Sequence, residues 1–485
     1  MAGLSDFILH TFNPHRLASC IVVCMTMFAG PLGQQTSGQE SQDVWSKQMA
    51  KINPNIDAPF EIDEKAVLAA GIRKLSGRHI DLYTDVRETE SAKEKQISEL
   101  IGVFDLAVAQ WCEYFEVDES RAANWKMRAF LIADEKDPSK FKKAGLIPAD
   151  LPEFRAGFQR GHNIWLFLQP GNYYTRHLLL HEGTHGFMQW FANGYGAPWF
   201  SEGMAEMFGV HRWAEGKLEL RYRLRDRSES EYWGRVKRIK DEYAAGEDMS
   251  LSDVINIDPK SFLEVRYYAW SWAACEFFSK HEKTKVDFAA LKKQAHVGPT
   301  QFNRLFIRAA KPNWRQLESD WELFISEIEY GYELQRGRLT RAKPIAATFG
   351  SADTKFQINS QRSWQMTSIA VKKGERFRVT GKGEFKVGQS SDSSGKLLPW
   401  TCQSNGITIQ YHQGNPLGIL QAGVYSPDAG EAKKRVKSLV SPVSVGLMGE
   451  ITAAQDGVLC LRVNESPAKL DDNKGALEVM VEKLK

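Results

Sequence analysis

Between residues 181 and 206 the chain carries two histidines and three glutamates at spacings that suit a metal ion. His181-Glu182-Gly183-Thr184-His185 sets two imidazoles four residues apart. On a helix that step keeps both on one face, where they can converge on a single cation. Glu182 adjoins the first histidine and can reach a water on the same ion. A catalytic zinc site uses three protein ligands and one open position. The third ligand is offered by the stretch from Pro198 to Glu206, PWFSEGMAE, in which Glu202 and Glu206 are again four apart. His, His and Glu around zinc form a hydrolytic set: the metal lowers the pKa of a bound water to about 7, and a carboxylate takes its proton as the water attacks a carbonyl.

HEGTH followed by WFSEGMAEMF resembles the gluzincin zinc metallopeptidases, most closely their peptidase-MA-like families. The resemblance implies Zn2+ held by His181, His185 and Glu202, with Glu182 as general base. It makes Glu206 the second carboxylate that orients the first histidine. The interval from His185 to Glu202 is two residues shorter than in the well-known aminopeptidases, so the loop between the two helices must differ. Further on, Tyr268-Ala269-Trp270-Ser271-Trp272-Ala273 is similar to a stretch of the gluzincin aminopeptidases whose tyrosine donates a hydrogen bond to the oxyanion. By position Tyr268 takes that role, Tyr267 could take it instead, and His211 is the next candidate. An aromatic stripe that merely fills a core is the plain alternative.

These residues need elements to hold them. Leu178, Leu179 and Leu180 before the motif, and Phe187, Met188, Trp190 and Phe191 after it, predict a buried helix, which Asn193-Gly194 ends. Upstream, alternation over 79–85 and the apolar runs at 126–134 and 163–169 predict three strands, with a helix over about 90–115. By the gluzincin resemblance, the strand at 163–169 is the candidate edge that pairs with a substrate backbone. An ordinary core strand is the equal alternative. From 215 to 340 the spacing is helical.

From about 345 helical periods vanish, and short alternating runs appear between Gly, Ser, Asn and Asp clusters. This predicts an all-β sandwich or jelly roll. Trp364 to Ser368 before Lys373-Gly374-Glu375, together with NESPAKLDDNKGAL from Asn464 to Leu477, resemble the PA-I-type galactophilic lectin domain. In that family the second stretch is a calcium loop, which implies Ca2+ on Glu465, Asp472, Asn473 and the carbonyls of Lys469 and Val387. The same resemblance implies a carbohydrate partner, although the sugar-contacting residues do not align. A solvated acidic loop is the alternative.

The expected fold class is therefore α+β: a gluzincin-like core of a small mixed sheet (61–170) and a helical zinc-site subdomain (171–340), then a β-sandwich accessory domain (345–485). A boundary at 338–350 further predicts a helical unit that folds without the tail. The apolar run from Leu17 to Leu32 reads as a signal peptide over 1–38, and polar residues 39–60 read as a linker. Together these predict a secreted, periplasmic or cell-surface protein with no membrane span after signal removal. A net charge of +3 over 485 residues, with no basic arm, argues against a nucleic-acid partner. Cys402 and Cys460 could form a bridge or stay as two thiols. The functional expectation is an exported zinc metallopeptidase acting on a peptide or protein. The rival is a non-catalytic carbohydrate- or surface-binding protein that keeps the same fold.

Overall fold

The computed structural model describes residues 49, 51–87, 91–343 and 354–485. The signal peptide expected at 1–38 lies outside the described residues. A mixed α/β part leads into a helical region, and a β-rich region of several sheets follows.

The first sheet has the order β1-β2-β3-β5-β4, made of Arg73–Ser76, Ile80–Thr84, Met127–Ile132, Asn163–Phe167 and Gly157–Arg160 for β1, β2, β3, β5 and β4. β2, β3 and β5 run parallel, whereas β1 and β4 are antiparallel edges. β3 (MRAFLI) and β5 (NIWLF) are buried at every position. Such continuous apolar runs are what parallel strands covered on both faces require. Ala129, Leu131, Ile164 and Leu166 point into the main core, shared with helices α1 (Ser91–Phe115) and α2 (Asn172–Phe191). Phe130, Ile132, Trp165 and Phe167 point the other way, onto Ile62, Val67, Phe141 and Leu146. The strand read at 163–169 is thus an internal strand, and the edge belongs to β4. β4 starts on glycine and is half-buried throughout, so it carries no period-2 signal to announce it.

Residues 51–60, read as linker, are seated on this core. Asn53 is buried, and its Nδ2 donates to the carbonyls of Gln189 (3.3 Å) and Trp190 (3.2 Å) at the end of α2. Those are among the carbonyls a helix end leaves unpaired.

Helix α3 (Pro198–Gly209) starts with proline at its first turn and packs across α2. The hairpin β6 (His211–Ala214) and β7 (Lys217–Leu220) follows, then helices α4 (Arg235–Ala245), α5 (Val265–Lys280) and α6 (Trp314–Ser326). α5 lies close on α3, because a Cβ at Gly203 would stand 2.4 Å from the Ser271 carbonyl oxygen. The glycine inside the EGMAE stretch is therefore a packing requirement.

In the β-rich region, β10 (Arg376–Lys382) pairs on one side with β16 (Met448–Thr452) and on the other with β18 (Ala476–Lys483), which also pairs β8 (Lys355–Asn359). A second sheet runs β13 (Asn405–His412), β14 (Asn415–Tyr425), β17 (Gly457–Val463), β9 (Gln365–Val371), with β15 (Val443–Ser444) also on β14. β11 (Phe385–Ser391) and β12 (Leu397–Cys402) form a hairpin. Helix α7 (Ala432–Val440) packs on β14 and on α6. Cys402 and Cys460 are separate buried thiols.

The junction between the helical and β-rich regions has an apolar centre ringed by ion pairs. Leu323 and Leu339 share a core with Trp364, Tyr425, Val436, Leu439 and Cys460. Around it, Arg435 pairs with Glu318 (2.7 Å), Lys433 with Asp248 (2.7 Å), and Arg462 with Glu327. Arg341, in the connection, pairs with Asp320 (2.8 Å). The carboxylates all come from the helical side.

Candidate metal centre

α2 carries His177, His181 and His185 on one buried face, at successive four-residue steps. α3 lays Glu202 and Glu206 across it. Glu202 Oε2 stands 3.3 Å from Nε2 of His181 and 3.3 Å from Nε2 of His185. The three potential ligand atoms all lie within 4.8 Å of one another. Two ligands bound at about 2.0–2.1 Å to a tetrahedral zinc are about 3.3–3.4 Å apart, so the donors are spaced to share one ion. Behind them, His185 Nδ1 meets Ser201 Oγ at 3.2 Å, and His181 Nδ1 faces Glu206 Oε1 at 3.5 Å. Each histidine thus turns Nε2 inward and Nδ1 toward a polar neighbour, the arrangement that fixes a ligating ring.

Charge balance points the same way. Three buried or nearly buried carboxylates, Glu182, Glu202 and Glu206, cluster here, and Arg235 pairs with Glu206. Burial resists charge on His181, yet Glu202 and Glu206 push its pKa up to about 10. Burial likewise resists charge on Glu202, but His185 and His181 hold it down at about 2. A ring set between two carboxylates marks a place that favours positive charge. A hard or borderline cation on a His/His/Glu donor set supplies it.

Glu182 makes no contact of the ligand kind. Its carboxyl is buried against β4, where a Cβ on Gly157 would stand 2.6 Å from Oε1. Burial raises its pKa, against the pull of His181 and His185.

Glu206 is gripped from its far side. Arg235 donates through Nε to Oε2 (3.0 Å) and through Nη2 to Oε1 (2.7 Å), and Trp233 Nε1 donates to Oε2 (3.2 Å). His177 Nε2 lies 3.4 Å away. Its four-residue step ahead of His181 was visible in the sequence. Arg235, Trp233 and Gly157 had no local signal, because nothing in their own stretches ties them to residues 181–206.

Tyr268 flanks the group on the side of His181. Its ring centre is 6.0 Å from that of His181, 5.3 Å from Phe262, and 5.8 Å from the Arg235 guanidinium carbon. Burial, with Glu202 and Glu182 nearby, raises its pKa, so the phenol keeps its proton. Tyr267 turns instead to Arg266, 5.4 Å from its ring. His211 is stacked on Tyr173 at 4.6 Å, with Nδ1 on the Gly209 carbonyl (2.8 Å) and Nε2 accepting from Arg176 Nε (3.2 Å). Both its nitrogens are engaged away from His181 and His185.

In the β-rich region, Asn473 Nδ2 donates to Glu465 Oε2 (2.7 Å) and to the Ser360 carbonyl (2.8 Å), and both side chains are buried. Burial pushes the Glu465 pKa up to about 8, with Asp472 adding to the rise. Lys469 sits in a turn closed by its N–H on the Ser466 carbonyl, and Val387 in the bulge of β11 just past Lys386, which pairs with Lys474. The structure brings Glu465 and Asn473 into contact and sets the other three in the segments around them. The loop is not free-standing: the Glu333 N–H donates to the Pro467 carbonyl, and a Cβ at Gly331 would lie 3.5 Å from Ala468.

No family model matches the chain, and no curated protein matches it. Among solved structures it is similar to one described as "EclA N-terminal domain; PllA-like lectin", at 18% identity over 27% of this chain and 95% of that one, with a TM-score of 0.19. At that TM-score the likeness carries no functional argument.

Proposed function

We propose that the chain is a zinc-dependent hydrolase of peptide bonds. The observation that carries this reading is a three-ligand set, with Glu202 Oε2 3.3 Å from each histidine Nε2, beside a buried carboxylate, Glu182, that takes no part in it. His181, His185 and Glu202 would hold the metal. When bound, it would supply Lewis-acid polarisation and a water acidic enough to ionise near neutrality.

The chain's own groups have distinct tasks. Glu182 accepts the water's proton and returns it to the leaving amine, and a carboxyl raised by burial suits that exchange. Tyr268 keeps its phenolic proton and can donate it as a hydrogen bond to the oxygen that gains charge. Peptide is favoured as the substrate by β4. One side of β4 pairs with β5 and the other is a sheet edge, and the face of β4 at Gly157 lies against Glu182. An extended backbone laid along that edge as an added strand would bring its carbonyl beside the Glu182 carboxyl. Gln159 of β4 is braced by Tyr195 Oη (3.0 Å) and by its own Nε2 on Gln189 Oε1 (2.8 Å), so the edge is held in place.

The test is cleavage of a peptide library by the full chain. Products should form, vanish with a chelator and return with added Zn2+. Cleavage that persists unchanged in the chelator would contradict the reading.

For the β-rich region we propose a hard cation such as Ca2+ at Glu465 and Asn473. Among the described residues the buried Oδ1 of Asn473 has no hydrogen-bond partner, and an unsatisfied buried acceptor beside a carboxyl suits an oxygen-bound ion. Added Ca2+ should raise the melting temperature of the wild type and not of Glu465→Gln.

A further inference from the structure

We infer that Arg235 is a positioning residue of the metal centre, acting on His181 through Glu206 and on Tyr268 through its ring face. The inference rests on the reading of His181 as a ligand.

Arg235 is the first residue of α4, preceded by Gly234 at the cap. A cation is disfavoured at a helix N-terminus, where the backbone dipole is already positive. It is also 7% exposed, so water does little for it. A buried guanidinium placed there needs a carboxylate, and Glu206 supplies one. The contact is a two-pronged fork, Nε to Oε2 at 3.0 Å and Nη2 to Oε1 at 2.7 Å. A fork of this kind fixes the plane of the carboxylate, which a single lysine contact would not. Trp233 Nε1 adds a third donor at 3.2 Å. With its plane set, Glu206 keeps Oε1 toward His181 Nδ1 at 3.5 Å. The ring's other nitrogen is the one that faces Glu202. The same guanidinium lies 5.8 Å from the centre of the Tyr268 ring, within cation–π range. One side chain therefore backs both the first histidine and the phenol, without itself reaching the ligand atoms.

A structural ion pair would share this geometry but not its consequences, so the test reads the metal. Zn2+ affinity of the full chain is measured by competition with a chromophoric chelator, and peptide turnover is measured alongside. Arg235→Gln should weaken Zn2+ binding by about 10–100-fold and lower kcat with KM nearly unchanged. Arg235→Lys should recover part of both. A wild type that binds no Zn2+ would overturn the metal-site reading itself. A wild type that binds it, with Arg235→Gln equal in affinity and kcat, would overturn this inference alone. Should Arg235→Gln fail to fold, the neutral pair Arg235→Met with Glu206→Gln decides: acting through Glu206, it should bind Zn2+ no more weakly than Glu206→Gln alone. A further additive loss in that double variant would overturn the inference.

Discussion

Glu182 and Gly157 are in contact across the join between helix α2 and the edge strand β4. A methyl group on Gly157 would stand 2.6 Å from Glu182 Oε1 and 2.9 Å from its Cγ. The edge strand and the candidate base are thus packed on each other.

Gly157→Ala should push the Glu182 carboxyl out of place while leaving His181, His185 and Glu202 untouched. A misplacement of about 1 Å can cost about 10²-fold in rate. The variant is expected to bind zinc as the wild type does and to lose kcat on that order. Wild-type turnover in Gly157→Ala would show that Glu182 needs no fixed position.

Tyr268→Phe removes one hydroxyl from the ring that flanks His181. Loss of one oxyanion donor typically costs about 10²–10³ in kcat. Zinc content and KM should hardly change. Tyr267→Phe, against Arg266 on the neighbouring face, should be nearly silent. If the two results are exchanged, the oxyanion donor is Tyr267.

The His/Glu cluster was legible in the sequence because its spacing is local. His181, His185, Glu202 and Glu206 are each set by a four-residue helical step, and the structure faces the two helices toward each other. What was not legible is carried by distant partners. Arg235 and Trp233 meet Glu206 from 29 and 27 residues away. β4 is too short and too evenly half-buried to signal a strand, so the sequence leaves 163–169 open as edge or core strand, and it is the core strand. Asn53 looked like linker because an asparagine that closes a helix end has the composition of a loop. The change of texture near 345 was clear, but composition could not show that the two regions share a buried junction.

That junction bears on the tail. A chain ending at Gly337 would strip Arg341, Arg435 and Arg462 from Asp320, Glu318 and Glu327. The same cut removes Leu339, Trp364, Tyr425, Val436 and Leu439 from the core they share with Leu323, baring apolar surface on the helical side. The truncated chain is expected to be insoluble or unfolded. A soluble fragment with a cooperative melt would contradict this.

Glu322 lies at the same junction, buried, with Oε2 lacking a hydrogen-bond partner among the described residues. Burial and nearby Asp248 push its pKa up from 4.5 to about 7, against Lys433 and Arg435. The folded state therefore holds the proton more tightly than the unfolded one, and stability is lost as pH rises from about 4.5 to about 7. Glu322→Gln should be more stable than the wild type at pH 8, by up to about 3 kcal/mol, and nearly equal to it at pH 4.5. Urea titrations at the two pH values check this. A difference that does not change with pH would rule it out.

The central claim is a zinc site whose base is separate from its ligands. The direct measurement is bound zinc per chain together with peptide turnover, for wild type, His181→Ala and Glu182→Gln. About one zinc is expected in the wild type and in Glu182→Gln, and little in His181→Ala, with turnover in the wild type alone. A wild type that stays zinc-free after dialysis against Zn2+, or a Glu182→Gln variant that cleaves at the wild-type rate, would contradict it.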